Sequence, residues 1–148
     1  MTNAEKAIET FDNGFNCAQA VISAYIERFK LNPDTALQIT SGFGAGIAHM
    51  QETCGAVSGS IMLIGLYIAE KTTDISERKE KTQETASSFI QQFKERNGTL
   101  RCRELLNCDV NTEEGMYYYD VNELHDKVCM KCVKDAVEIL DKIFKKNN

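Results

Sequence analysis

Proline occurs once in the 148 residues and tryptophan not at all. With Pro33 as the lone strong helix breaker, apolar periodicity along the rest of the chain is free to be expressed as helix. Positive charge is in deficit: 17 Lys and Arg stand against 22 Asp and Glu, a net charge of −5. A general nucleic-acid surface needs a basic stripe, so that class of partner is set aside. Nor is there the run of about 20 apolar residues that spans a bilayer. The most apolar stretch, 56–69, is shorter and includes Ser58, Gly59, Ser60 and Gly65, so it reads as a buried helix and gives no membrane partner. The first residues have no apolar core of a signal peptide, which points to a cytoplasmic protein. No period of repeat length is found.

What the chain does have is a globular composition, 43% hydrophobic with modest net charge. It can bury a core, and its length suits one domain, 1–148. It also has six cysteines. They are too many for an average intracellular domain and too sparse for a scaffold stapled by disulfides. In a cytoplasmic protein such cysteines point to metal ligands or redox thiols.

The periodicity predicts an all-α fold, a helical bundle of about six to seven helices with a glycine-rich loop. Ala7, Ile8 and Phe11 share a face in 4–11, and Asn13-Gly14 ends that helix. Asn16 is a good cap for a second helix, with Cys17, Val21, Tyr25 and Phe29 at helical spacing. Asn32 and Pro33 open a third, running to about Thr40. The glycine-rich loop 41–46 follows, then the buried helix from about Cys54 to Ala69. A polar helix over 74–97 docks through Ala86, Phe89, Ile90 and Phe93, with Gly98 as its cap. A short helix follows at 101–106. Residues 109–126 read as irregular. The last helix carries Val133, Ala136, Val137, Leu140, Ile143 and Phe144 on one stripe.

Helical phase sorts the thiols. Cys17 precedes Val21 by four residues, Cys54 precedes Val57 by three, Cys102 precedes Leu105 by three and Cys129 precedes Val133 by four. Residues at these separations share a face, so four cysteines on four helices fall in the apolar phase. One such thiol reads as a small buried hydrophobe; four together suggest a site in a bundle core. Cys132 shares a stripe with Ala136, and Cys108 reads as peripheral. Cys54 has the strongest setting, because free amides at the start of the buried helix favour a thiolate or a cluster-bound sulfur. Gly55 and Gly59, one turn apart, admit either a cofactor or a closely packed backbone.

The block Cys54-Gly55-Ala56-Val57-Ser58-Gly59, with segments 14–21, 41–47, 102–106 and 129–133, resembles the redox-active protein family named for its signature, C_GCAxxG_C_C. The resemblance covers most of the chain and implies that Cys17, Cys54, Cys102 and Cys129 are the signature cysteines, with Cys108 and Cys132 as extras. Some members carry a c-type haem segment, which this chain lacks. The family often has a basic residue near His49 and a glycine near Gln51, two departures in one loop.

Weaker signals remain. Gly42, Gly44 and Gly46 mimic a phosphate loop but lack a preceding strand and a Gly-Lys-Ser/Thr ending; Gly44 and Gly46 instead let the loop pass near Cys54. His49 and His125 read as satisfied or solvent-facing histidines before they read as ligands or proton donors. Tyr117, Tyr118 and Tyr119 suit packing, a lid, or an interface such as that of a homodimer.

Three functions compete. In the first, the four cysteines hold an iron–sulfur cluster for electron transfer with a redox partner, with zinc as the alternative ion. In the second, no metal is bound and Cys54 is the attacking thiolate of a disulfide-exchange oxidoreductase, with Cys17, Cys102 or Cys129 resolving. In the third, the chain is a non-catalytic helical binding module.

Overall fold

The computed structural model describes residues 1–145, and the fold is all-α. Among the described residues eight α-helices follow one another: α1 (Asn3–Asp12), α2 (Cys17–Ser23), α3 (Pro33–Ile39), α4 (Gly55–Ala69), α5 (Ile75–Asn97), α6 (Cys102–Leu106), α7 (Glu113–Val121) and α8 (Met130–Lys145). A 3₁₀ turn, Ser41–Phe43, precedes the loop to α4, and a π-helical turn, His125–Cys129, runs into α8. Among the described residues, β pairing is limited to an isolated antiparallel bridge between Thr53 and Arg101. No helix there is long and apolar enough to cross a membrane.

The helix starts follow from their caps. Thr2 and Asn16 each accept from the third helical amide while Glu5 and Gln19 reach back, so α1 and α2 open with capping boxes. Asn32, Asp74 and Thr112 cap α3, α5 and α7 in the simpler way. Each such bond satisfies an otherwise orphaned amide and contributes about 1 kcal/mol. Gly98 closes α5 at φ 84°, the left-handed conformation that glycine adopts without steric cost.

The core is built on α4, which packs against α2, α5 and α8. Ala56, Val57, Leu63 and Ile64 are fully buried, as are Val133, Ala136, Val137 and Leu140 of α8. Phe89 and Phe93 dock the second half of α5. A Cβ on Gly59 would sit 3.0 Å from the Ala18 carbonyl oxygen, so here α2 and α4 meet through backbone. At the end of the bundle away from the cysteines, Phe144 packs edge-on to Tyr25 and Phe29 and tilted against Tyr67. The Tyr25 hydroxyl donates to Asp141 Oδ1 at 2.7 Å, closing that end.

Two elements differ from expectation. Residues 109–126 are not simply irregular, because they contain α7. That helix leaves Met116, Tyr117, Tyr118 and Val121 exposed and buries Gly115, so it has no apolar stripe to betray it. Regular helix α2 ends at Ser23, and the chain continues as overlapping turns to Lys30 at φ 54°. Tyr25 stays buried all the same.

Candidate functional site

Three backbone devices bring the cysteines together. Cys17 is the first residue of α2, and Asn16, besides capping that helix, donates to the carbonyls of Thr40 and Ser41. Cys54 caps α4, and a Cβ on the next residue, Gly55, would lie 3.2 Å from Cys17 Cβ. Glycine at 55 therefore lets the two cysteine-bearing helix ends meet. The Thr53–Arg101 bridge then sets Cys54 beside Cys102: Cys54 N–H donates to Leu100 O at 2.8 Å and Cys102 N–H to Glu52 O at 2.7 Å. Cys129 ends the π turn, a geometry frequent at functional sites. Cys132 lies three residues on, on the same side of α8.

The loop before α4 is unusual. Ala45, Gly46, Ile47, Ala48 and His49 have successive φ values of 47°, 71°, 69°, 49° and 61°. All five lie on the left-handed side of the φ map, which costs L-residues about 1–2 kcal/mol apiece. Backbone bonds spanning five or six residues hold the loop. Ala48, His49, Gln51 and Glu52 amides donate to the carbonyls of Gly42, Gly44, Ala45 and Gly46. Gln51, fully buried and itself at φ 57°, donates from Nε2 to Cys108 O and accepts from Val110 N–H at Oε1, both at 2.9 Å. Its positive φ is the conformation a glycine would accept with least strain. At Gly46 a Cβ would stand 2.6 Å from Glu52 N and 2.8 Å from Cys102 Cβ, so both conformation and space demand glycine.

The result is a cavity of about 210 Å³ lined by Cys17, Cys54, Cys102, Cys129 and Cys132. Leu105, Leu106, Val110, Met116 and Val128 make its walls apolar, and Tyr119 and His49 supply polar groups. These thiols influence one another's ionisation, Cys132 with Cys54, Cys54 with Cys17 and Cys17 with Cys129. Hydrogen bonds with Cys132 and then Cys17 hold the Cys54 thiol well below its ordinary range, against burial, with help from the Ala56 and Val57 amides. Cys17 is pushed up by its bonds to Cys129 and Cys54 and by burial. The bond to Cys54, then burial, pushes Cys132 up. Cys129 is lowered by Cys17 and by Tyr119, whose hydroxyl lies 3.7 Å from Cys129 Sγ. Burial raises Tyr119 itself, so it stays a neutral donor. Burial and the charges of Cys54 and Cys129 push the Cys102 thiol up to about 12.

The four cysteines singled out by helical phase thus line one cavity, with Cys132 as a fifth. Its place on the Ala136 stripe was the sequence signal for Cys132. Tyr119 gave no such signal, since it sits on the helix that lacks an apolar stripe. Cys108 lies outside, in a separate hollow beside Tyr117 and Tyr118. Gly46 and Gly55 line the cavity; Gly44 and Gly59 do not. His49 is exposed at the cavity wall, and His125 stacks on Phe11 with its ring centroid 4.3 Å away. Among the described residues, the donor atoms that cluster in threes within 4.8 Å of one another are those of Asp12, His125 and Asp126, and no cysteine trio is that compact. With Zn–S bonds of about 2.3 Å, tetrahedral geometry needs sulfurs about 3.8 Å apart. No zinc tetrahedron of thiols is preformed.

Fold and site define an all-helical cysteine-site protein. The chain belongs to the family described as "Putative redox-active protein (C_GCAxxG_C_C)", which matches residues 15–143. Redox activity is therefore the family's described character. An uncharacterized protein of Archaeoglobus fulgidus is 28% identical over 151 residues, covering 94% of this chain and 93% of that protein. No solved structure is significantly similar.

Proposed function

We propose that the chain is an electron-transfer protein in which Cys17, Cys54, Cys102 and Cys129 hold an iron–sulfur cluster. One observation carries this reading: four thiols from four separate elements face a single apolar cavity, with sulfurs too widely spaced for one small ion. An all-thiolate donor set suits such clusters, which supply a one-electron couple when bound. The chain's own contribution is to orient and shield. The Ala56 and Val57 amides favour negative charge on the Cys54 sulfur, and the Tyr119 hydroxyl faces that of Cys129. Hydrogen bonds to ligand sulfur and exclusion of water both tune a potential.

Anaerobic reconstitution with iron and sulfide tests the proposal. A brown protein with stoichiometric iron and a reducible paramagnetic signal is expected. A colourless protein without iron after that treatment would sink it. Zinc bound in its place would make the site structural.

A second reading, disulfide exchange without metal, draws on the Cys54 thiol. It is held low and shares its cavity with other thiols, which is the setting of an attacking thiolate. A Cys54 that alkylates no faster than a free cysteine at neutral pH would count against it.

A further inference from the structure

Helix α7 stands between the cysteine cavity and solvent. Met116 and Tyr119 line the cavity, while Tyr117, Tyr118 and Val121 are exposed. Its outer face borders a second hollow, of about 440 Å³, lined by Asp109, Glu114, Tyr117, Tyr118 and Val121 and by no lysine or arginine. The helix carries Glu113, Glu114 and Asp120 and no basic residue. Among the described residues these three carboxylates are in no ion pair; the pairs nearby use Asp109, Asp126 and Glu123.

We propose that this face docks the protein that exchanges electrons with the cysteine site, and that this partner presents a basic surface, one lysine or arginine side chain of which seats in the Tyr117–Tyr118 hollow. The inference rests on the electron-transfer reading above and names the partner's chemistry. A cation over a tyrosine ring is attracted by the negative face of the ring. Asp109 and Glu114, at the same hollow, supply the opposite charge. An α-helix with its side chains is about 10–12 Å across, so a partner seated on α7 lies one helix thickness from the cavity.

Charge selects this occupant. In a two-fold dimer the face would meet its own copy, and unpaired carboxylates would be set against one another. Nucleic acids and anionic lipid surfaces carry that same sign of charge and are repelled. Exposed tyrosine and methionine beside the carboxylates are residue types enriched where proteins meet.

The test adds a strongly basic cytochrome c, at low salt, to the full isotope-labelled chain and follows backbone amide shifts. Shifts are expected to be confined to 107–121, with binding at least about tenfold weaker at physiological salt. Lysine-succinylated cytochrome c, which keeps the haem and reverses the charge, is expected not to bind. Glu114→Lys with Asp120→Lys should weaken binding at least about tenfold, and Tyr117→Ala about two- to fivefold. Glu80→Lys with Glu84→Lys, the same charge change at exposed positions of α5, should leave it within about twofold. Shifts centred elsewhere, equal binding of the succinylated form, or α7 shifts that depend on protein concentration without cytochrome c overturn the proposal without any variant having to fold. Equal losses from the two double variants overturn it as well. The shift map needs no cluster, so a protein that takes up no iron on anaerobic reconstitution defeats the cluster reading and leaves the docking result standing. A cluster-bearing protein whose α7 amides do not move does the reverse.

Discussion

The two ends of the bundle contrast in how they are filled. At one end Phe144 is wedged among Tyr25, Phe29 and Tyr67, and the space is closed by aromatic contact and the Tyr25–Asp141 hydrogen bond. At the other end, five cysteines face a hollow of about 210 Å³. Protein interiors are otherwise close-packed, and voids forgo dispersion contacts. The filled end uses apolar side chains at helical spacing. The hollow end is held open by backbone: a left-handed turn, a one-residue bridge and a π turn. Aromatic packing is concentrated at the first end and thiols at the second.

Phe144→Ala should produce the largest effect, a loss of about 3–5 kcal/mol, read by chemical denaturation. Alkylation of Cys54 in the folded protein should not change; if it does, the two ends are coupled and the contrast fails. Gly46→Ala should come next, at about 2 kcal/mol or more, because it combines a left-handed Cβ with close backbone contacts. Gly42→Ala is the control. A Cβ there meets nothing within 4 Å and its φ is not positive, so the melting temperature should barely move. Equal losses from both substitutions would mean that the left-handed turn is not what holds the site.

Thiol titration sharpens the chemical half. A lowered thiol is ionised at lower pH than a free cysteine, and a raised one only at higher pH. At pH 7 Cys54 should therefore alkylate more than about tenfold faster than Cys102, whose thiolate forms only as pH approaches about 12. Site-resolved iodoacetamide labelling from pH 6 to 10 checks this, and matching profiles would refute it. The smallest effect is expected for Tyr119→Phe, which removes a donor to Cys129. The midpoint of Cys129 alkylation should rise by about one pH unit or less, since one unit is about 1.4 kcal/mol. A fall would mean that Tyr119 does not stabilise that thiolate.

Much of the bundle was legible because its signals are local. Asn16, Asn32-Pro33, Asp74 and Gly98 mark helix ends through hydrogen bonds made within a few residues, and Val133 to Phe144 repeat with the helical period. The cysteine phase argument selected Cys17, Cys54, Cys102 and Cys129 although three of them stand at helix starts. It worked because the following turn of each helix is buried. Helix α7 was missed for the converse reason, its large apolar residues being exposed and its buried residue a glycine. Run 45–49 was legible only as a glycine-rich loop. Ile47, Ala48 and His49 carry no mark of positive φ, which is imposed by hydrogen bonds to Gly42, Gly44 and beyond.

By itself, then, the sequence determined an all-helical chain and singled out four thiols that line one cavity, since caps and periodicity act between near neighbours. Which thiols share a cavity was decided by tertiary structure. Cys54 and Cys132 line it together across a gap in sequence that no spacing rule bridges, and Cys102 comes beside Cys54 through the Thr53–Arg101 pairing. The hollow between them exists because strained and bridged backbone keeps four elements apart where side chains would otherwise have closed.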